Sequence, residues 1–171
     1  QFSFVSKWCL KWISVIECYL IDEIMRKEGL KPGQLIILTK PLGTGVLFAA
    51  DMRYKAKGRW IADALHNMTQ SNYAAARVLR EHGSAACTDV TGFGLLGHLV
   101  EMTKASQVRA RINLQDIPVL DGFQECISQG IFSSLQPQNL RLRRALLNLG
   151  EVADDPLYPV LFDPQVCHYV H

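Results

Sequence analysis

The residues that could do chemistry are concentrated in one short stretch, TDVTGFGLLGH at positions 88–98. Its run from Gly92 to Gly97 has the spacing G-x-G-x-x-G, with which dinucleotide-binding folds bring a pyrophosphate against a turn and a helix N-terminus. Glycines at such a turn let the backbone approach phosphates closely. A helix opening at Leu95 would direct free N–H groups at the negative charge. The stretch therefore predicts a phosphate-binding loop.

A carboxylate stands in front of this loop and changes its chemistry. Asp89 lies three residues before Gly92, and Thr88 and Thr91 occupy positions where a dinucleotide fingerprint has apolar residues closing its strand. A bare carboxylate repels a pyrophosphate, whereas Mg²⁺ between the two attracts both, because it prefers oxygen ligands and is usually held by one or two carboxylates plus phosphate oxygens. The pattern therefore favours Asp89 as a Mg²⁺ ligand.

Two other interpretations of the stretch stay open at this point. In the first, the run at 92–97 opens an NAD-type dinucleotide-binding domain, with Asp116 at nearly the right distance to hold a ribose. In the second, Asp89 only caps a turn and the glycines serve a tight strand-to-helix corner. A lone G-x-G-x-x-G is a weak signal, so its structural context has to separate the interpretations.

The elements that would position the loop alternate between strand-like runs and helical patterns. An apolar run at 35–39 and an alternating run at 108–114 predict strands, as do shorter segments at 85–90 and 158–162. This alternation predicts an α/β or α+β layer of sheet and helices in one domain. Helical spacing of apolar residues predicts helices that begin near Val46, Trp60, Tyr73, Leu95, Phe123 and Leu140.

Composition excludes several classes of protein. The 171 residues are 49% hydrophobic and 20% charged, which is ordinary globular usage, and the net charge of +2 gives no field that would favour nucleic acid. The five cysteines form no C-x-x-C pair, which argues against zinc ribbons and disulfide scaffolds and favours a reducing, cytoplasmic location. Residues 2–21 are apolar, but Lys7, Lys11 and Glu17 interrupt them, so a membrane span is not expected.

Three segments in conserved order carry a family resemblance: LTKPLGTGVLFAADMR at 38–53, ACTDVTGFGLLGHLVEM at 86–102 and LYPVLFDPQ at 157–165. The chain resembles the selenophosphate synthetases, or selenide, water dikinases, over about residues 27–165. This family makes selenophosphate, AMP and phosphate from ATP, selenide and water. The resemblance implies the C-terminal domain of the aminoimidazole ribonucleotide synthetase-like fold, a mixed sheet with helices packed on one face, here incomplete.

The resemblance also implies a site. Asp89 corresponds to a Mg²⁺ ligand that this domain contributes to the ATP phosphates, and Thr91, Gly92 and Gly94 are expected to bind the nucleotide. The implied cofactors are Mg²⁺ and ATP, the substrates are selenide and ATP, and the intact family is expected to form homodimers. No catalytic residue is predicted in this chain.

Both ends depart from the family pattern. Residues 1–26 do not resemble it, and residues 166–171 stand where the family continues with further strands. The family's glycine-rich segment with a reactive cysteine or selenocysteine and a lysine is not found. The isolated chain is therefore expected to be inactive, and the alternative is a non-catalytic remnant that has a structural or partner-binding role.

Other polar residues have ordinary structural interpretations. Cys87 is expected to be a small buried core residue, since free cysteines are often buried. His98 is expected to be a structural histidine bonded to Glu101 or to the backbone. A solvated helix face is the usual meaning of a basic cluster such as Arg141, Arg143 and Arg144.

Overall fold

The structure is a computed structural model that describes residues 25–166. The predictions for the N-terminal segment and for the tail beyond Val166 lie outside the described residues. Seven α-helices form within the described range, accompanied by 3₁₀ segments at Leu114–Asp116, Leu140–Ala145 and Tyr158–Phe162. The helices are α1 (Thr44–Asp51), α2 (Gly58–Thr69), α3 (Tyr73–Glu81), α4 (Gly94–Ala105), α5 (Phe123–Ser128), α6 (Gln136–Asn139) and α7 (Leu149–Val152).

The predicted mixed sheet is wrong for this part of the chain, because no β-strand is assigned between residues 25 and 166. Leu42 and Val119 form an isolated parallel bridge. It rests on two backbone hydrogen bonds, from Leu42 N–H to the Pro118 carbonyl (2.9 Å) and from Leu120 N–H to the Leu42 carbonyl (2.8 Å). A periodic pattern determines which side chains are buried, but a strand also needs a partner backbone that is not encoded locally.

Three of the segments predicted to be strands have other structures. Along 108–114 the even-numbered side chains are less exposed than the odd-numbered ones, as predicted, but the segment pairs with no strand of the described chain. In the apolar run at 35–39, Leu35 is 53% and Ile37 is 42% exposed, so the run is not a buried strand. The segment at 158–162 is a 3₁₀ helix, because Pro159 in its first turn fixes φ near the helical value.

The helix predictions fared better than the strand predictions. The first five predicted helices are present as α1 to α5. The sixth, expected from Leu140 to Leu149, is wrong: the chain forms the 3₁₀ segment Leu140–Ala145 and then the single turn α7.

The chain divides into two compact units, which are described separately. The described part of the first unit comprises residues 25–39, 71–89 and 101–111. Lys27 and Glu101 form an exposed ion pair there at 2.6 Å, and Cys87 donates its backbone N–H to the Arg26 carbonyl at 2.8 Å. Its helix α3 is amphipathic in sequence but has no buried residue.

The described part of the second unit comprises residues 40–70, 90–100 and 112–166 and contains most of the helices. Helix α1 packs against both α2 and α5. Lys40 extends to the C-terminal end of α2, where its Nζ donates to the Asn67 carbonyl (2.8 Å) and to that of Gln70. A cation there satisfies unpaired carbonyls and complements the helix dipole. The core is built from Val46, Leu47 and Ala50 of α1, Trp60, Ala64 and Met68 of α2, Phe123 and Cys126 of α5, and Val160, Leu161 and Phe162.

Within the described residues, no helix is long and apolar enough to cross a membrane.

Candidate functional site

The predicted phosphate loop is a tight turn that leads directly into α4. The N–H of Gly94 donates to the carbonyl of Thr91 at 3.0 Å, which closes the turn over Gly92 and Phe93. Gly92 and Phe93 are exposed, whereas the helix residues from Gly94 to Leu99 are buried. The loop therefore presents two residues to solvent next to a buried helix start.

The glycines of G-F-G-L-L-G serve different purposes. Gly94 has φ +69°, and a Cβ on it would lie 3.0–3.1 Å from backbone atoms of Leu161, Phe162 and Asp163. Gly97 is also needed for packing, because a Cβ there would lie 2.6 Å from the Cβ of Phe93. A Cβ on Gly92 would meet nothing within 4 Å, and φ at Gly92 is not positive. Neither its backbone conformation nor its packing in the described chain therefore requires glycine at position 92.

Two consecutive backbone donors of the loop are available to a ligand. The N–H groups of Gly92 and Phe93 have no acceptor among the described residues, although the neighbouring N–H groups of Thr91 and Gly94 are both bonded. Successive unbonded N–H groups in a turn can bind an anion. The loop therefore has two backbone donors that could bind an anion such as a phosphate group.

His98 supports the loop from the start of the second turn of α4. Its Nε2 accepts the backbone N–H of Thr91 at 3.1 Å and lies 3.1 Å from the Thr91 hydroxyl. Because a backbone N–H can only donate, Nε2 carries the lone pair, and in the neutral ring the proton is on Nδ1. The expected structural histidine bonded to the backbone is confirmed, and the other suggested partner, Glu101, forms the ion pair with Lys27.

Asn139, which is distant from the loop in sequence, also supports it. It is buried at the end of α6, and its Nδ2 donates to the Gly92 carbonyl at 2.8 Å and to the Phe162 carbonyl at 3.0 Å. One amide thus ties the loop to the 3₁₀ segment Tyr158–Phe162. Sequence reasoning missed Asn139, since an asparagine 47 positions from its partner carries no local signal.

The DPQ segment, Asp163-Pro164-Gln165, connects the loop to the first turn of α1. The backbone N–H of Gln165 donates to the Thr91 carbonyl at 3.0 Å. The side-chain Oε1 of Gln165 accepts from the backbone N–H of Gly43 (3.1 Å) and from the hydroxyl of Thr44 (3.2 Å), which satisfies donors at a helix N-terminus. The end of the LYPVLFDPQ motif at 157–165 is therefore a structural support of the loop.

Asp163 is the most deeply buried carboxyl group of this support. It is fully buried, its Oδ2 accepts from Gln165 Nε2 at 3.1 Å, and its Oδ1 makes no hydrogen bond of ordinary geometry. Burial raises the pKa of Asp163 to about 7, and Gln165 and the backbone N–H groups of Gly45 and Val46 offset only part of this rise. The group is therefore positioned to titrate near neutral pH.

Asp89 is the last residue of the segment 71–89, which belongs to the first unit. Its side chain is half-buried, and the hydroxyl of Thr88 donates to its Oδ1 at 3.5 Å. No group of three or more His, Cys, Asp or Glu side chains in residues 25–166 could hold a metal ion. A single carboxylate that is accessible and not paired with a described cation fits the Mg²⁺ pattern in which phosphates and water supply the remaining ligands.

The remaining candidate residues have structural roles or lie outside the loop. Cys87 is buried, as predicted. Burial, and secondarily the neighbouring Glu125, raise the pKa of the Cys126 thiol, so Cys126 is not an activated nucleophile. Asp116 lies in the 3₁₀ segment Leu114–Asp116 instead of at the end of a strand. The NAD interpretation needs a parallel sheet there, and the described chain has none.

Comparisons with known proteins agree with the resemblance seen in the motifs. The model of the AIR synthase related protein C-terminal domain matches residues 31–136. A selenide, water dikinase of Trichlorobacter lovleyi is 34% identical over 144 residues, which cover 84% of this chain and 41% of the relative. A second one, from Geobacter metallireducens, is 36% identical over 142 residues, which cover 83% of this chain and 41% of the relative. A third, from an Enterobacter species, is 44% identical over 109 residues, which cover 64% of this chain and 31% of the relative.

The chain thus spans about two fifths of the length of the first of these relatives. The family match covers Asp89, the predicted loop and α4, whereas Asn139 and the DPQ segment lie outside it. On these matches, the chain belongs to the AIR synthase related family, in the part that corresponds to its C-terminal domain, and its relatives include selenide, water dikinases.

Proposed function

We propose that this chain is part of a selenide, water dikinase, an ATP-dependent enzyme that makes selenophosphate, AMP and phosphate from ATP, selenide and water. The observation that carries the proposal is the agreement between the relatives' names and the loop geometry. The relatives are selenide, water dikinases, and the matched region contains an exposed turn with two unbonded N–H groups. ATP is the substrate whose phosphates suit such a turn.

In this proposal the loop residues have distinct roles. The N–H groups of Gly92 and Phe93 bind phosphate oxygens, and the missing side chain of Gly92 leaves room for them. Thr91 and Gly94 shape the turn, because both their backbone N–H groups are already used within the chain. Of the three residues predicted to bind the nucleotide, Gly92 is therefore the one that the ligand approaches in this proposal, and Thr91 and Gly94 hold the turn that presents it.

Asp89 is the proposed ligand of Mg²⁺. The ion, when bound, would neutralise phosphate charge that the carboxylate alone would repel. A phosphoryl-transfer site depends on positioning and on charge stabilisation by several groups, so one carboxylate and one loop are not sufficient for it. The remaining groups belong to other parts of the longer enzyme, and we propose that the isolated chain binds nucleotide without turning it over.

The proposal also covers the location and the oligomeric state of the enzyme. A cytoplasmic location fits the absence of any C-x-x-C pair from the sequence and the two free cysteines among the described residues. The intact enzyme is proposed to be a homodimer, which sedimentation of the full-length protein would test.

The proposed role of Asp89 is tested by calorimetric titration of the chain with ATP, with and without Mg²⁺. We expect Mg²⁺ to increase the affinity at least about tenfold in the wild type, and we expect Asp89→Ala to abolish that increase. Asp116→Ala, which removes an exposed carboxylate elsewhere, is the matched control and should keep it. An unchanged Mg²⁺ effect in Asp89→Ala would rule out the metal role.

The larger claim is tested by adding the first domain of a relative in trans. Selenide-dependent formation of AMP that requires both chains would support the dikinase proposal. If neither nucleotide binding nor AMP formation is found, the non-catalytic structural interpretation takes its place.

A further inference from the structure

Asn139 makes a contact that general core packing does not require. Its side chain is 5% exposed, and its Nδ2 donates both of its protons to backbone carbonyls, those of Gly92 and Phe162. Burial of an amide among apolar residues is unfavourable unless it is hydrogen-bonded. Asn139 is bonded, and one of its two partners is the exposed loop.

The bond to Gly92 determines the direction of a donor on the other side of the peptide. A trans peptide is planar, so its C=O and N–H point in opposite directions. The chain has no cis peptide among its described residues. With the Gly92 carbonyl held toward the buried Asn139, the N–H of Phe93 in the same peptide must point away from it, on the exposed side of the loop.

We propose that Asn139 is a positioning residue, which orients the Gly92–Phe93 peptide so that the Phe93 N–H binds a nucleotide phosphate. The proposal rests on the proposed nucleotide-binding function of the loop and assigns it a support that acts from a different element. A hydroxyl in place of the amide has a single proton to donate, and a carboxylate has none, so neither could bond both carbonyls.

The chain supplies a matched control on the same short helix. Gln136 is also a buried amide, 4% exposed, and its Nε2 donates to the carbonyl of Pro159 at 3.4 Å. It therefore bonds the same 3₁₀ segment as Asn139, but it makes no hydrogen bond to the loop. Asn139→Ala and Gln136→Ala both remove a buried amide, and only the first releases the Gly92 carbonyl.

The test has one arm without nucleotide and one arm with Mg·ATP, both on the full chain. In the first arm, the amide resonances of Gly92 and Phe93 are followed by ¹⁵N NMR. We expect Asn139→Ala to shift the Phe93 amide and to increase loop motion, and we expect Gln136→Ala to leave both unchanged. In the second arm, we expect Asn139→Ala to weaken Mg·ATP binding about tenfold relative to Gln136→Ala.

The outcomes separate the inference from the function on which it rests. If the Phe93 amide is the same in Asn139→Ala and wild type, the positioning role is overturned, whether or not nucleotide binds. If the amide shifts while Mg·ATP binds equally to both variants, the link between the peptide and phosphate is overturned. Absence of Mg·ATP binding to the wild type overturns the proposed function itself. If Asn139→Ala does not fold, Asn139→Ser, which keeps one donor, is used in both arms.

Discussion

The glycine loop at 91–94 and the DPQ segment at 163–165 are in hydrogen-bond contact and yet have opposite properties. The loop exposes Gly92 and Phe93 with two unbonded N–H groups, whereas the DPQ segment is buried and most of its polar atoms are bonded within the protein. The comparison shows that a backbone donor can face solvent in a fixed direction when the polar groups behind it are satisfied. In the proposed function, the exposed side binds phosphate and the buried side fixes the orientation of the donors.

The largest expected effect is on the buried side, at Asp163. Its pKa of about 7 in the folded protein, against 3.8 as the ordinary value, means that the folded chain holds a proton which the unfolded chain releases between these pH values. The stability from this proton is fully present below about pH 4 and is lost as the pH rises through 7. Since tenfold in proton affinity corresponds to about 1.4 kcal/mol, the loss is about 4 kcal/mol at most.

Asp163→Asn removes this titration, and we expect a free energy of unfolding that depends less on pH between 4 and 8 than that of the wild type. Urea unfolding at several pH values measures it, with Asp116→Asn as the control for an exposed aspartate. Parallel pH profiles of the wild type and Asp163→Asn would show that the buried carboxyl does not titrate in this range.

Gly94 is the next test, because it joins the two regions. Gly94→Ala puts a side chain at φ +69° and within 3.0–3.1 Å of backbone atoms of the segment 161–163, so we expect a loss of about 3 kcal/mol. Gly130→Ala is the matched control, since its φ is +71° but a Cβ there meets nothing within 4 Å. It should lose only the conformational part, about 1 kcal/mol. Equal losses in thermal unfolding would mean that the contact with the buried segment is unimportant.

His98 tests the hydrogen bond at the start of the loop, with a smaller effect. His98→Phe leaves the half-buried N–H of Thr91 without its acceptor, which costs about 1–2 kcal/mol of stability. Gln has an amide oxygen at about the position of Nε2, so we expect His98→Gln to restore part of the loss. If chemical denaturation shows the two variants to be equally destabilised, the acceptor role of Nε2 is wrong.

The features that could be predicted from the sequence are those that depend on residues close together in the chain. Helices α1 to α5 and the helix-opening loop were predictable because spacing, glycine and proline act within a few residues. The prediction of a sheet was wrong because an apolar run such as 35–39 indicates which side chains could be buried but not which backbone segment would pair with it. Asn139 and Gln165 could not be found from local pattern, since their bonds to the loop span 47 and more residues.

The loop also shows what a motif can and cannot distinguish. Gly92 and Gly94 are equivalent letters in G-x-G-x-x-G, but only Gly94 is required by the packing of the described chain. A physical account of each glycine therefore needs its backbone angle and its neighbours, which a spacing rule does not contain.

The measurement that tests the central claim most directly is calorimetric titration of Mg·ATP into the wild type, Gly92→Ala and Gly150→Ala. Both glycines are open, with no atom within 4 Å of a Cβ and no positive φ, so both variants should fold with nearly unchanged stability. We predict that Gly92→Ala weakens Mg·ATP binding about tenfold or more, because its methyl group occupies the space of the phosphate, and that Gly150→Ala binds as the wild type does. Equal affinities of the two variants and the wild type would contradict the account, because the ligand would then not approach the loop at Gly92.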